Sequence, residues 1–130
     1  MRTLHLATAA LLSLGAVAPA AGAAEPVPVP GDGLYLTVSG DGETWTRGVR
    51  LECVPVPAGH HPYAAESCAA LAAADGDLDA LEGQPWRCTE ENAPVTAAAH
   101  GTFAGRTINW RRTFTNACTL EASTGDVFRF

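Results

Sequence analysis

Leu34-Tyr35-Leu36-Thr37-Val38-Ser39, followed by Gly40-Asp41-Gly42, decides how this chain folds. Leu34, Leu36 and Val38 fall on one face, and Tyr35, Thr37 and Ser39 on the other. That period of two is the pattern of a half-buried strand. Gly40-Asp41-Gly42 is a turn signal, and alternation resumes with Val49, Leu51 and Cys53 against Arg50 and Glu52. Two adjacent antiparallel strands are the simplest reading.

Downstream, Val54 to Pro62 holds three prolines and Gly59 and reads as a loop. Ala64 to Ala74 is mostly alanine, the best helix former, with Cys68 and Leu71 among the rest, and stops at Asp75-Gly76-Asp77. A helix of about ten residues follows from this composition, with Cys68 and Leu71 on one face and Leu78 and Leu81 packing beneath it. Gly83 to Pro94 carries Pro85, Asn92 and Pro94 around a Glu-Glu pair and suits neither a helix interior nor a buried strand. Val95 to Ala99 and Thr107 to Phe114 read as strands, with Ile108 and Trp110 inward and a turn from His100 through Gly105. Val127 to Phe130 reads as a short edge strand. The expected class is α+β, about five short antiparallel strands with one clear helix against them.

Upstream, Met1-Arg2 is followed by an apolar stretch from Leu4 to Pro19, with no charge besides His5, and then by Ala20-Ala21-Gly22-Ala23-Ala24. That order predicts a signal peptide over residues 1–23, too short to anchor in a membrane. Residues 24–33, with Glu25-Pro26-Val27-Pro28-Val29-Pro30, form an extended, flexible arm. Residues 34–130 form one domain. Export removes Arg2 and takes the net charge from −6 to −7, with every remaining basic residue an arginine. Such a surface repels phosphate backbones and anionic lipid, so nucleic acid and membrane are excluded as partners.

Cys53, Cys68, Cys88 and Cys118 all lie in the exported part, an even number that predicts two disulfides among three possible pairings. No Cys-x-x-Cys knuckle occurs, and His60 and His61 are adjacent rather than at ligand spacing, so neither metal nor cofactor is expected. His60, His61 and His100 lie in no zinc helix, nucleophile elbow or phosphate loop. An enzyme is therefore not expected, and His61-Pro62 reads as a loop fixed by imidazole bonds to backbone. The segment that stands out is Arg87-Cys88-Thr89-Glu90-Glu91-Asn92-Ala93-Pro94: short, polar, and bounded by a cysteine and a proline.

Here the chain resembles the Streptomyces subtilisin inhibitor family. The likeness rests on Cys53-Val54-Pro55, Gly59-His60-His61-Pro62 and Ser67-Cys68-Ala69-Ala70-Leu71, with Ser67 where the family usually has alanine. Gly76-Asp77-Leu78-Asp79-Ala80-Leu81, Phe114-Thr115-Asn116-Ala117-Cys118 and Val127-Phe128-Arg129-Phe130 extend it over essentially all of residues 34–130. The resemblance implies a five-stranded antiparallel sheet with helices on one face, disulfides Cys53–Cys68 and Cys88–Cys118, and a homodimer formed through the sheet. It implies a secreted inhibitor of serine proteases, subtilisin-like or of the glutamyl endopeptidase class. Its reactive loop would span Arg87 to Pro94, with the scissile bond Glu90-Glu91 and with Asn116 bracing the loop.

Relatives aimed at subtilisin or trypsin carry an apolar or basic residue where this chain has Glu90. Burying a carboxylate in an apolar pocket costs at least about 2–3 kcal/mol unless a basic group meets it. Arg87 would likewise enter a subsite that prefers apolar side chains in subtilisin-like enzymes. A glutamate-preferring protease is therefore the expected target. The alternative is a non-inhibitory binding or structural protein on the same scaffold.

Overall fold

A computed structural model describes Gly15 and residues 32–130. The signal peptide and arm expected over residues 1–33 lie outside the described residues, save for Gly15, Asp32 and Gly33. The chain runs β1 (Gly33–Gly40), β2 (Thr46–Glu52), β3 (Ala58–Gly59), α1 (Ala64–Ala73), β4 (Val95–Phe103), β5 (Arg106–Phe114) and α2 (Ala117–Thr124). Short 3-10 turns occupy Asp41–Glu43 and Leu78–Ala80. The strands form one antiparallel sheet in the order β3-β2-β1-β4-β5.

The alternation read in the opening stretch sets the layers. Leu34, Leu36 and Val38 are buried beneath the helices while Tyr35 lies exposed on the opposite face. Their partners Leu51, Ala97 and Ala99 are buried on the same side. Helix α1 covers β2 and β3, and α2 covers β4 and β5, so both helices lie on one face. Cys68 and Leu71 from α1, Leu120 from α2, and Leu78, Leu81, Val127 and Phe128 fill the layer between. Burying apolar area at about 25 cal/mol per Å² is the main force holding the two layers together.

Helix α1 stops where expected, at Asp75-Gly76. Asp75 takes the left-handed conformation (φ 53°), its N–H reaching Ala72 O at 3.1 Å, while Gly76 N–H reaches back to Leu71 O at 2.9 Å. This pair of bonds satisfies the last helical carbonyls.

Three readings of the chain are corrected. Val127–Phe130 is not an edge strand: Val127 and Phe128 are consecutive and both buried, which a strand with one solvated face does not allow. The segment turns off the end of α2 through Gly125 and packs under the sheet instead. The turn expected from His100 to Gly105 shrinks to Ala104-Gly105, because β4 continues to Phe103, with His100 opposite Asn109 and Gly101 opposite Ile108. Gly101 is needed not for a turn but for close approach, since a Cβ there would collide with the carbonyl oxygen of Gly33. The proline-rich loop contains β3, whose Ala58 and Gly59 pair with Glu52 and Leu51.

Both disulfides have the pairing that the resemblance implied. Cys53–Cys68 ties the end of β2 to α1, and Cys88–Cys118 ties the segment before β4 to the first turn of α2.

Candidate functional site

Arg87 to Pro94 lie in the irregular connection between the Leu78–Ala80 turn and β4. Arg87 and Thr89 through Ala93 are exposed, whereas Cys88 and Pro94 are half-buried at either shoulder. The segment has no ladder partner, yet three ties hold it. The Cys88–Cys118 disulfide fixes one shoulder, with 5.7 Å between Cα atoms. At the other, Ala93 N–H donates to Thr115 O at 3.0 Å.

The third tie is the amide of Asn116, which is only 6% exposed. Its Nδ2 donates to Thr89 O at 3.0 Å and to Glu91 O at 2.9 Å, so one side chain spans the Glu90 peptide from both sides. Its Oδ1 accepts from Thr119 N at 2.9 Å, capping α2, and Thr119 Oγ1 accepts in return from Asn116 N at 3.1 Å. Both amide hydrogens therefore go to the loop while the oxygen goes to the helix. Aspartate could cap but not donate, and a longer side chain could not cap in this way. Between the anchored carbonyls, the Glu90 side chain projects free into solvent. It forms no ion pair or hydrogen bond within the described residues.

Sequence reasoning named Asn116 but missed Thr115 and Thr119, which complete its setting. Asn116 is a favoured N-cap residue, but the capping-box pattern carries Glu or Gln where this chain has Thr119, so the sequence alone did not mark the reciprocal bond.

Among the described residues, a serine and a histidine also come together. Ser67 Oγ lies 3.3 Å from His61 Nε2. Tyr63 N–H donates to His61 Nδ1 at 2.9 Å, so Nδ1 is unprotonated and Nε2 carries the hydrogen, which it gives to Val127 O at 2.8 Å. A donor at Nε2 cannot deprotonate a serine, and Ser67 is fully buried with its own bond to Asp126 O. The pair is a junction joining α1 to the chain end, as the backbone-bonding reading of His61-Pro62 expects. No group of three or more potential metal ligands occurs among the described residues. Nor is any helix among them long and apolar enough to cross a membrane.

Known proteins share both the sequence and the fold. The sequence profile of the subtilisin inhibitor-like family matches residues 31–116. A relative in Streptomyces avermitilis is 47% identical over 124 residues, covering 95% of this chain and 81% of its own. A subtilase-type protease inhibitor of Streptomyces coelicolor is 39% identical over 137 residues, covering 95% of this chain and 94% of its own. Among solved structures, Streptomyces caespitosus sermetstatin, crystallised in complex with Bacillus licheniformis subtilisin, superposes with a TM-score of 0.61. It is 33% identical, over 75% of this chain and 97% of sermetstatin. The chain belongs to the subtilisin inhibitor-like family, whose members are protease inhibitors rather than enzymes.

Proposed function

We propose that the protein is secreted and inhibits serine endopeptidases by offering residues 87–94 as a rigid, substrate-like loop. Glu90-Glu91 is the scissile bond, and Glu90 enters the primary pocket of a glutamate-preferring enzyme. The observation that carries this reading is the Asn116 amide, bonded to the carbonyls on both sides of Glu90. A loop ordered before binding loses little conformational entropy when a protease closes on it.

The same ties account for slow turnover. When the protease serine attacks the Glu90 carbonyl, the Glu90-Glu91 bond breaks and the Glu91 amine leaves. That amine belongs to a segment held by Asn116 and by the Ala93–Thr115 bond. The acylated side is held through Cys88–Cys118. The two ends stay together, so the amine re-attacks the acyl-enzyme, releasing the serine, in competition with water. The inhibitor contributes positioning and no catalytic group.

Two copies further pair through the exposed sheet face. Tyr35, Thr37, Ala98 and Arg111 lie on it, opposite to the helices. A two-fold interface is the common way to cover such a face.

Titration against a panel holding a glutamyl endopeptidase, subtilisin, chymotrypsin and trypsin tests the proposal. Tight inhibition of the first and weak inhibition of the others is expected, with one slow nick after Glu90. Rapid degradation of the loop, or no inhibition of any member, would leave a binding protein on the same scaffold as the better account.

A further inference from the structure

We infer that the turn between β1 and β2 is a second protease-contacting element of this inhibitor, with Trp45 as its anchor. The inference rests on the reactive-loop reading above and goes beyond it, because Trp45 lies outside the loop.

A cleft of about 440 Å³ separates the two. Thr89, Glu91 and Pro94 line one wall, and Asp41, Thr44 and Trp45 the other. The turn therefore flanks the loop across this cleft and faces residues on both sides of the proposed scissile bond. A protease–inhibitor interface takes about 20–30 residues a side. Eight loop residues supply fewer than half of these, so the surfaces flanking them must be covered as well.

Trp45 is suited to that position. It is 42% exposed, in a chain whose other tryptophan near the loop, Trp86, flanks its opposite end. It is also fixed in place. Gly40 N–H donates to Trp45 O at 3.0 Å, and the indole packs so closely on Gly40 that a Cβ there would collide with it. The Arg47 guanidinium lies over the ring, 5.0 Å from its centroid. An exposed tryptophan already held in one orientation offers large contact area at small entropic cost, the property that makes tryptophan frequent among binding hot spots.

The charge around it defines the partner surface. Asp41 and Glu43 on the turn, like Glu90 and Glu91 on the loop, form no ion pair among the described residues, and the cation beside them, Arg47, is turned onto the Trp45 ring. The matching surface is the rim of a protease cleft that carries basic side chains beside an apolar patch. Unpaired rim charges of this kind act mainly on the association rate.

The test uses full-length exported protein, with rate constants measured against a glutamyl endopeptidase and, in the Glu90→Met background, against subtilisin. Trp45→Ala is expected to weaken both complexes roughly 10- to 100-fold, chiefly by faster dissociation, with the cleavage rate at Glu90-Glu91 unchanged. The double variant Asp41→Asn/Glu43→Gln slows association with the first enzyme and flattens its salt dependence. Thr44→Arg, an exposed change on the cleft wall that leaves the indole in place, weakens both complexes. Affinities for Trp45→Ala and Thr44→Arg within about twofold of the parent overturn the inference. Weaker binding matched by proportionately faster loop cleavage also overturns it, because Trp45 would then brace the loop rather than touch the protease. If the parent inhibits while Trp45 is silent, only this inference falls. If neither parent form inhibits either enzyme, the reactive-loop reading falls and takes this one with it.

Discussion

Asn116 Nδ2 stands 2.9 Å from the carbonyl oxygen of Glu91, the residue that would carry the leaving amine of a cut at Glu90. The same nitrogen holds Thr89 O, and the same side chain's oxygen caps α2. Loop order and helix start thus share one residue, and substitution can separate them.

Asn116→Asp keeps an oxygen for Thr119 N but turns a carboxylate toward two carbonyl oxygens. The expected result is a stability loss of about 1–3 kcal/mol. Affinity for the target protease should drop at least roughly tenfold, and the loop should be cleaved faster. Asn116→Ala loses the cap as well, which costs about 1 kcal/mol more. Thermal unfolding and timed digests followed by mass spectrometry report the two effects separately. Variants that lose stability but keep the wild-type cleavage rate would mean the amide serves only the helix.

The parts of the fold that were legible in the sequence are those where polarity contrasts along the chain. Leu34, Leu36 and Val38 alternate with polar neighbours, so β1 and its buried face are plain. In β2 the signal thins, because Arg47 stands on the helix side opposite Val38 and breaks the alternation before Val49. Ala97-Ala98-Ala99 has no contrast at all, so nothing local marks how far β4 runs. Helix α2 has Cys118, Thr119, Ser123 and Thr124 among its eight residues, poor helix formers, and Leu120 as its one large buried anchor. It is held by the Asn116–Thr119 cap, which lacks the usual Glu or Gln at its third position, and by the Cys88 crosslink, a contact made across the fold. The loop itself has no period to read. Its ties to Thr115 and Asn116 join segments more than twenty residues apart, and family likeness pointed to Asn116 but not to Thr115.

Replacing Cys88 and Cys118 together by serine should cost about 2–4 kcal/mol, chiefly through the freer unfolded chain. After cleavage at Glu90, the parent's fragments should stay associated under non-reducing conditions. The variant keeps the noncovalent ties of Asn116 but lacks the covalent one, so it should behave more as a substrate than as an inhibitor. Undiminished inhibition by the serine variant would show that the amide bonds alone hold the loop.

His61→Gln should destabilise the fold by about 1–3 kcal/mol, because it disturbs the bonds to buried Val127 O and part-buried Tyr63 N. Protease affinity of the fraction that remains folded should not change, since the junction lies outside the loop's ties. Loss of affinity without loss of stability would contradict the structural role given to this residue.

A homodimer through the exposed sheet face predicts sedimentation at twice the mass of the exported chain at micromolar concentration. Tyr35, 53% exposed on that face, gives a direct handle. Tyr35→Glu puts a charge on that face of both copies and should shift the equilibrium to monomer while leaving inhibition intact. A wild-type monomer would refute the pairing without touching the loop.

Glu90 gives the sharpest test, because its side chain is exposed and unpaired, so substitution changes recognition without disturbing the fold. A pocket that takes glutamate must supply charged or hydrogen-bonding partners to the desolvated carboxylate. An apolar pocket cannot, and excludes it. Glu90→Met or Glu90→Leu should therefore raise subtilisin inhibition and abolish inhibition of a glutamyl endopeptidase. Glu90→Lys or Glu90→Arg should create trypsin inhibition. The expected swing is about 3–5 kcal/mol, or roughly two to three orders of magnitude in affinity. Unfolding temperatures of all four variants should match the parent. If the four variants inhibit every protease as the parent does, Glu90 does not enter the primary pocket and the scissile bond lies elsewhere.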